Sequence, residues 1–145
     1  MIKTIGLALA VLLGANAAQA QSVYRCEMDG ALDDWAGPWL VFAVRPDQKS
    51  ALVGHPVYAY FEGGMAEAKV TSNTKSRTKL QWSVNAYDSR KTRTTMVYTA
   101  TFLKSNNTVQ IDANALGFSQ RFNGRGSCAQ ISAAEMQAIQ SQIGG

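Results

Sequence analysis

Histidine and cysteine are scarce in this chain of 145 residues, which has one His and two Cys. That scarcity removes much of the chemistry open to a small protein. A metal centre needs three or four ligands in fixed geometry, and one His with two distant Cys does not supply them. A Ser or Cys hydrolase needs a His as base, and the sole candidate, His55, stands between Gly54 and Pro56 where nothing marks it as one. It reads as a solvated loop side chain. No phosphate-cradling glycine loop and no dinucleotide fingerprint occurs. Carboxylates cluster once, as Asp29, Asp33 and Asp34 beside Trp35 and Trp39, where glycoside chemistry and a calcium loop are the functional readings. The calcium-loop spacing is absent, and Asp29-Gly30-Ala31-Leu32-Asp33-Asp34 reads more simply as a solvated turn. We therefore expect no catalytic residue, no metal and no cofactor.

Long apolar runs, internal repeats and low-complexity linkers are missing too, with one exception at the start. Met1-Ile2-Lys3-Thr4 supplies a short positive region, Ile5 to Leu13 an apolar run, and Ala18-Gln19-Ala20 a small-x-small cleavage site. The run falls short of the roughly 20 residues that span a bilayer core. No Cys follows Ala20, so a lipoprotein anchor has no thiol to attach to. The expectation is a cleaved secretory signal over 1–20 and one domain over 21–145, periplasmic or secreted, with no transmembrane segment. A composition of 46% hydrophobic and 17% charged residues is too apolar for a disordered chain.

Export gives the cysteine count its meaning, because two thiols in an oxidising compartment normally pair. A redox dithiol would show close spacing such as C-x-x-C, which is absent. Cys26 and Cys128 are thus expected to form a structural disulfide that sets the first and last strands side by side. The closed loop would hold about 100 residues, for which chain entropy alone gives about 4.7 kcal/mol.

Between the cysteines the dominant period is two. Leu80, Trp82, Val84 and Ala86 alternate with polar residues, as do Ala66, Ala68 and Val70. The longest case runs through Thr94, Met96, Tyr98, Ala100 and Phe102, and Val109, Ile111 and Ala113 continue it. Trp39 to Val44 and Val57 to Phe61 read as apolar strands, and Phe118 and Phe122 as one face of a last strand. Turn residues at 62–64, 72–74, 88–90 and 105–107 separate these runs at hairpin spacing. The fold class predicted is all-β, a small antiparallel barrel or sandwich of about 7–8 strands closed by one disulfide. Trp39, Trp82, Tyr98 and Phe102 are the candidate interior.

After the second cysteine the period changes. Ser132-Ala133-Ala134-Glu135 is a capping box, Ile131 and Met136 stand where a hydrophobic staple places them, and Ile139 and Ile143 follow at helical spacing. A short C-terminal helix over about 133–143 is expected, packed on the sheet or plugging one end of a barrel.

Positive charge is concentrated in one region. Between Lys69 and Arg93 the only acid is Asp88, whereas Lys75, Arg77, Lys79, Arg90, Lys91 and Arg93 are all basic. On neighbouring hairpins these six would converge into a patch that attracts an anionic surface. Lys and Arg along strand edges also block sheet-to-sheet association, which is the alternative role. Nucleic acid is not an expected partner, because the aromatics alternate into the presumed core instead of interleaving with the cations.

Tyr24-Arg25-Cys26 near the mature start and Gly126-Ser127-Cys128 near the end, around a β-rich middle, resemble the frame of small periplasmic lysozyme inhibitors. That resemblance covers the two ends of the chain, implies an exported binding module, and carries over no inhibitory residue. Besides an enzyme, which would have to rely on the Asp29 to Asp34 cluster, two non-catalytic readings follow from the residues themselves. One is a non-catalytic binding protein that recognises a protein or an anionic envelope component through its basic hairpins. The other is a small-ligand carrier with an apolar barrel interior, since eight strands either fill with side chains or leave room for one small ligand.

Overall fold

The computed structural model describes residues 22–29 and 34–144. The expected signal over 1–20, and Asp33 of the carboxylate cluster, lie outside the described residues. Eight strands follow in chain order: β1 (Val23–Met28), β2 (Trp39–Val44), β3 (Ser50–Gly54), β4 (Ala66–Asn73), β5 (Arg77–Tyr87), β6 (Arg93–Leu103), β7 (Thr108–Ala115) and β8 (Arg121–Ile131). Each pairs antiparallel with the next and β8 returns to β1, so the sheet is a closed barrel. Closure removes the edge along the barrel wall, but β5 beyond Gln81 pairs only with β6, so the outer part of that hairpin, next to Arg90, Lys91 and Arg93, keeps an unpaired strand edge.

Alternation decides what faces inward. On β5, Thr78, Leu80, Trp82, Val84 and Ala86 are buried while their neighbours face outward, and β6 repeats this with Met96, Tyr98, Ala100 and Phe102. The two strands pair along their whole length, from Arg77 opposite Leu103 to Tyr87 opposite Arg93. The middle of the barrel is filled: Trp82 and Tyr98 stack at 5.3 Å, with Leu40, Leu80 and Ile111 also fully buried. Eight strands leave an interior about this wide.

The barrel closes at β1 and β8. Cys26 and Cys128 stand opposite one another in the ladder and are disulfide-bonded across a sequence separation of 102. Gly126 permits this approach, since a Cβ there would overlap the Glu27 carbonyl and come within 2.7 Å of the Met28 sulfur.

Three segments depart from the sequence expectation. Trp39 is not interior: on β2 Leu40 and Phe42 take the inward positions, so parity sends Trp39 outward with Val41 and Ala43. Val57 to Phe61 is not a strand but part of helix α1 (Pro56–Phe61). Pro56 has no N–H for a ladder yet suits a first helical turn. The apolar run then wraps helically, with Val57, Tyr58 and Phe61 against the core, and the strand missed in this region is β3. Phe118 is not in the last strand either; Gly117 turns the chain at φ +85°, Phe118 stands exposed in the loop, and β8 begins at Arg121.

Helix α2 (Ala133–Ile143) starts where the capping residues place it, with the Glu135 amide donating to Ser132 Oγ at 3.1 Å. The Glu135 carboxylate accepts from the Ser132 hydroxyl at 3.4 Å, not from its amide. Met136 and Ile139, with Ile131, cover Val23, Val41 and Ala43 on the outer wall. The helix therefore packs on the outside of the sheet and plugs neither end.

Candidate functional site

The barrel has two unlike ends. At one, the β2–β3, β4–β5 and β6–β7 turns surround a mouth. At the other, the β3–β4 connection with α1, the residues before β2, and the β5–β6 and β7–β8 turns gather. The second end is plugged by aromatic and imidazole packing. Trp35 stacks on Phe61 at 6.1 Å, the Tyr98 hydroxyl donates to the Trp35 carbonyl at 2.7 Å, and His55 Nε2 donates to the Ala36 carbonyl at 2.8 Å.

His55 is thus not the solvated side chain expected from its neighbours. It is fully buried, 4.8 Å from the Tyr98 ring and 5.7 Å from the Trp82 ring. Burial pushes its pKa down to about 4, against the opposing pull of the Ala36 carbonyl, so the ring is neutral at pH 7. With Nε2 as the donor, Nδ1 is an acceptor and has no hydrogen-bond partner; Trp82 Nε1 is likewise buried without one. Burial, and then the charge of Asp34, raise the Tyr98 hydroxyl far above its usual range. Asp34 itself caps a turn, accepting the Ala36 amide at 3.0 Å, and Asp29 continues the ladder through its amide to the Arg125 carbonyl. Among the described residues no group of three or more His, Cys, Asp or Glu side chains comes together, and no helix is long and apolar enough to cross a membrane.

The open end holds a cavity of about 370 Å³. Its floor is a cluster of three aromatics, Tyr24, Phe42 and Phe102, brought together because each takes an inward position on its strand. Tyr24 stacks on Phe42 at 5.4 Å, lies 4.7 Å from Phe102, and Phe102 meets Phe42 edge-on at 5.3 Å. The rim is polar, formed by Arg45, Gln48, Asn73, Thr78 and Lys104. Arg45 is ion-paired with Glu67, which raises its pKa and lowers that of the Glu67 carboxyl. Lys104 is held differently. Its ammonium donates to Asn73 Oδ1 at 2.9 Å and to the Thr74 carbonyl, while the Thr78 hydroxyl donates to the same Asn73 oxygen at 3.0 Å. Both acceptors of Lys104 are uncharged, so a fixed positive charge remains at the rim. The β2–β3 turn is ordered by Asp47, which accepts the Lys49 and Ser50 amides at 2.9 and 3.2 Å and has a lowered pKa, first through the Lys49 bond.

The six basic residues singled out in the sequence do not form one patch. Lys75, Arg77 and Lys79 belong to the open end of β5, whereas Arg90, Lys91 and Arg93 sit at its other end and in the turn beyond. Arg77 and Tyr87 are the two ends of an 11-residue strand, which at about 3.4 Å per step puts them on the order of 30 Å apart. Arg77 and Lys79 face outward into a groove of about 640 Å³ with Arg125, but Asp29 and Asp112 line it too and leave it nearly balanced in charge. Of the candidate interior residues, Trp82 and Tyr98 fill the middle and Phe102 forms part of the mouth floor.

Sequence reading overlooked Lys104, Asn73, Thr78, Tyr24 and Phe42. The parity of Tyr24, Phe42 and Phe102 is the available signal; nothing in the sequence around the Ser105-Asn106-Asn107 turn marks Lys104. No protein-family model matches the chain, and neither a curated protein nor a solved structure matches it.

Proposed function

We propose that this is an exported, non-catalytic binding protein whose ligand, a small amphipathic anion, seats in the open mouth of the barrel. The observation that carries the reading is Lys104, a cation fixed by two uncharged acceptors directly above an aromatic floor. An apolar body would lie on Tyr24, Phe42 and Phe102, and the anionic group would meet the ammonium. A volume of about 370 Å³ is at the small end of ligand cavities, which run from roughly 300 to 1,000 Å³. The filled middle of the barrel directs a ligand to the mouth and not to a central lumen.

Anilinonaphthalene sulfonate is a suitable probe, because its fluorescence rises on leaving water and its body and charge match the proposed site. Saturable binding is expected, weakened about tenfold by Lys104→Glu, a difference of about 1.4 kcal/mol. The uncharged relative phenylnaphthylamine should bind more weakly to the native protein and equally to both forms. Absence of saturable binding, or the same affinity in Lys104→Glu, would overturn the proposal.

A further inference from the structure

Five large hydrophobic side chains stand exposed among the described residues, and four of them belong to the plugged end: Tyr60 at 82%, Phe118 at 61%, Leu116 at 55% and Tyr87 at 52%. Single exposed apolar residues are ordinary and call for no explanation. These four come from different places in the chain, namely α1, the end of β5 and the β7–β8 loop, yet the topology delivers all of them to one end. The open end has only Leu103 of this kind.

The same end carries the second half of the basic residues. Arg90 and Lys91 form the tip of the β5–β6 hairpin, Arg93 opens β6 and Arg121 opens β8. None of the four is ion-paired among the described residues. Among the described residues at this end, the Asp88 carboxylate accepts the Arg90 and Thr92 amides at 2.9 and 2.8 Å, Glu62 accepts the Asn85 amide at 2.9 Å, Asp34 caps its own turn, and Asp29 lies beside Arg125. Asp88 thus shapes the hairpin that presents the cations.

Exposed aromatic and aliphatic side chains at the same barrel end as Arg and Lys without ion pairs among the described residues match the chemistry of one kind of surface. Tyr rings settle at the headgroup level, where an apolar body and a polar tip are both satisfied, and cations are drawn to anionic leaflets. We propose that the plugged end is a docking surface for an anionic lipid bilayer. Tyr60, Tyr87, Leu116 and Phe118 enter the headgroup layer while Arg90, Lys91, Arg93 and Arg121 lie over lipid phosphates. This surface is independent of the mouth, which it turns toward the aqueous side.

The test is co-sedimentation of the oxidised protein with vesicles of phosphatidylglycerol and phosphatidylcholine, against vesicles of phosphatidylcholine alone. Binding is expected on the anionic vesicles only, falling severalfold when salt is raised from 0.1 to 0.5 M as screening shortens. Arg90→Glu with Lys91→Glu and Arg93→Glu should abolish it. Leu116→Ser with Phe118→Ser should weaken it about tenfold while leaving adsorption to a soluble polyanion such as polyglutamate unchanged, which separates insertion from charge attraction. All these positions are on exposed turns or strand ends, and an unchanged melting temperature confirms that the variants fold. No binding to anionic vesicles, or either variant binding as the native protein does, would overturn the proposal.

Discussion

The two ends of this barrel are built on the same eight strands and finish them in opposite ways. At the open end the inward positions stop at a layer of aromatics and the turns above stay polar, so a cavity remains. At the plugged end α1 and the Trp35–Ala36 segment fold across the strand ends, burying an imidazole and an indole against Tyr98. Loops set the difference, since the strand alternation is common to both. The packing that closes the barrel and the proposed small-ligand cavity accordingly lie at different ends, and substitutions that affect stability and those that affect that cavity should sort by end.

The largest effect belongs to neither end but to the seam that serves both. Cys26→Ser opens a cross-link spanning 102 positions, and chain entropy gives about 4.7 kcal/mol for a loop near this size. A fall in melting temperature of roughly 15–25 °C under oxidising conditions is expected at about 4 °C per kcal/mol. An unchanged melting temperature would remove the bridge from any account of stability.

At the plugged end, His55 makes stability depend on pH. The folded protein holds the ring neutral down to about pH 4, whereas the unfolded chain protonates it near pH 6.5. The unfolded state therefore takes up the proton first as pH falls. Stability, level above pH 7, should drop between pH 6.5 and 4 by about 3 kcal/mol and then flatten as far as this group is concerned. Denaturant titrations at successive pH values measure the slope, and His55→Asn should remove most of it. If the slope persists in that variant, another group is responsible.

A smaller loss is expected at Gly37, which adopts φ +78° and would place a Cβ 2.7 Å from Pro56 Cγ and 3.0 Å from His55 Nε2. Gly37→Ala should cost about 2 kcal/mol, from backbone strain and displacement of α1 together. Chemical denaturation gives the value directly. The smallest effect should be at the mouth: Lys104→Ala removes an exposed side chain with uncharged partners and should change stability by less than about 0.5 kcal/mol, while weakening anilinonaphthalene sulfonate. A large stability loss there would break the division of labour between the ends.

Much of the barrel was legible in the sequence because strand parity is a local property. The alternation of Leu80, Trp82, Val84 and Ala86, and that of Met96 to Phe102, needs no knowledge of distant residues to name the buried face. Trp39 shows the limit: in an apolar run such as Trp39 to Val44 both faces are hydrophobic, one toward the core and one under α2, and parity has no starting point. Val57 to Phe61 fails similarly, since so short an apolar run suits a strand or a helix until Pro56 and the core contacts of Phe61 decide. The burial of His55 depends on Ala36 and Tyr98, far away in the chain. The two groups of basic residues are near in sequence but not in space because the 11-residue strand β5 lies between them. The mouth was hidden for the same reason, as Lys104, Asn73 and Thr78 meet only once β4, β5 and β6 are side by side.

The sulfur bridge also decides how the molecule responds to mechanical force. Cys26 and Cys128 lie near the two limits of the described chain and face each other across β1 and β8. Tension applied to the two termini would enter at β1, cross the disulfide and leave through the end of β8, bypassing everything between. Only the residues before Cys26 and those after Cys128, α2 among them, could be drawn out. The barrel would hang beside a short taut tether, its mouth and its plugged end both unloaded, for as long as the two sulfurs stay joined.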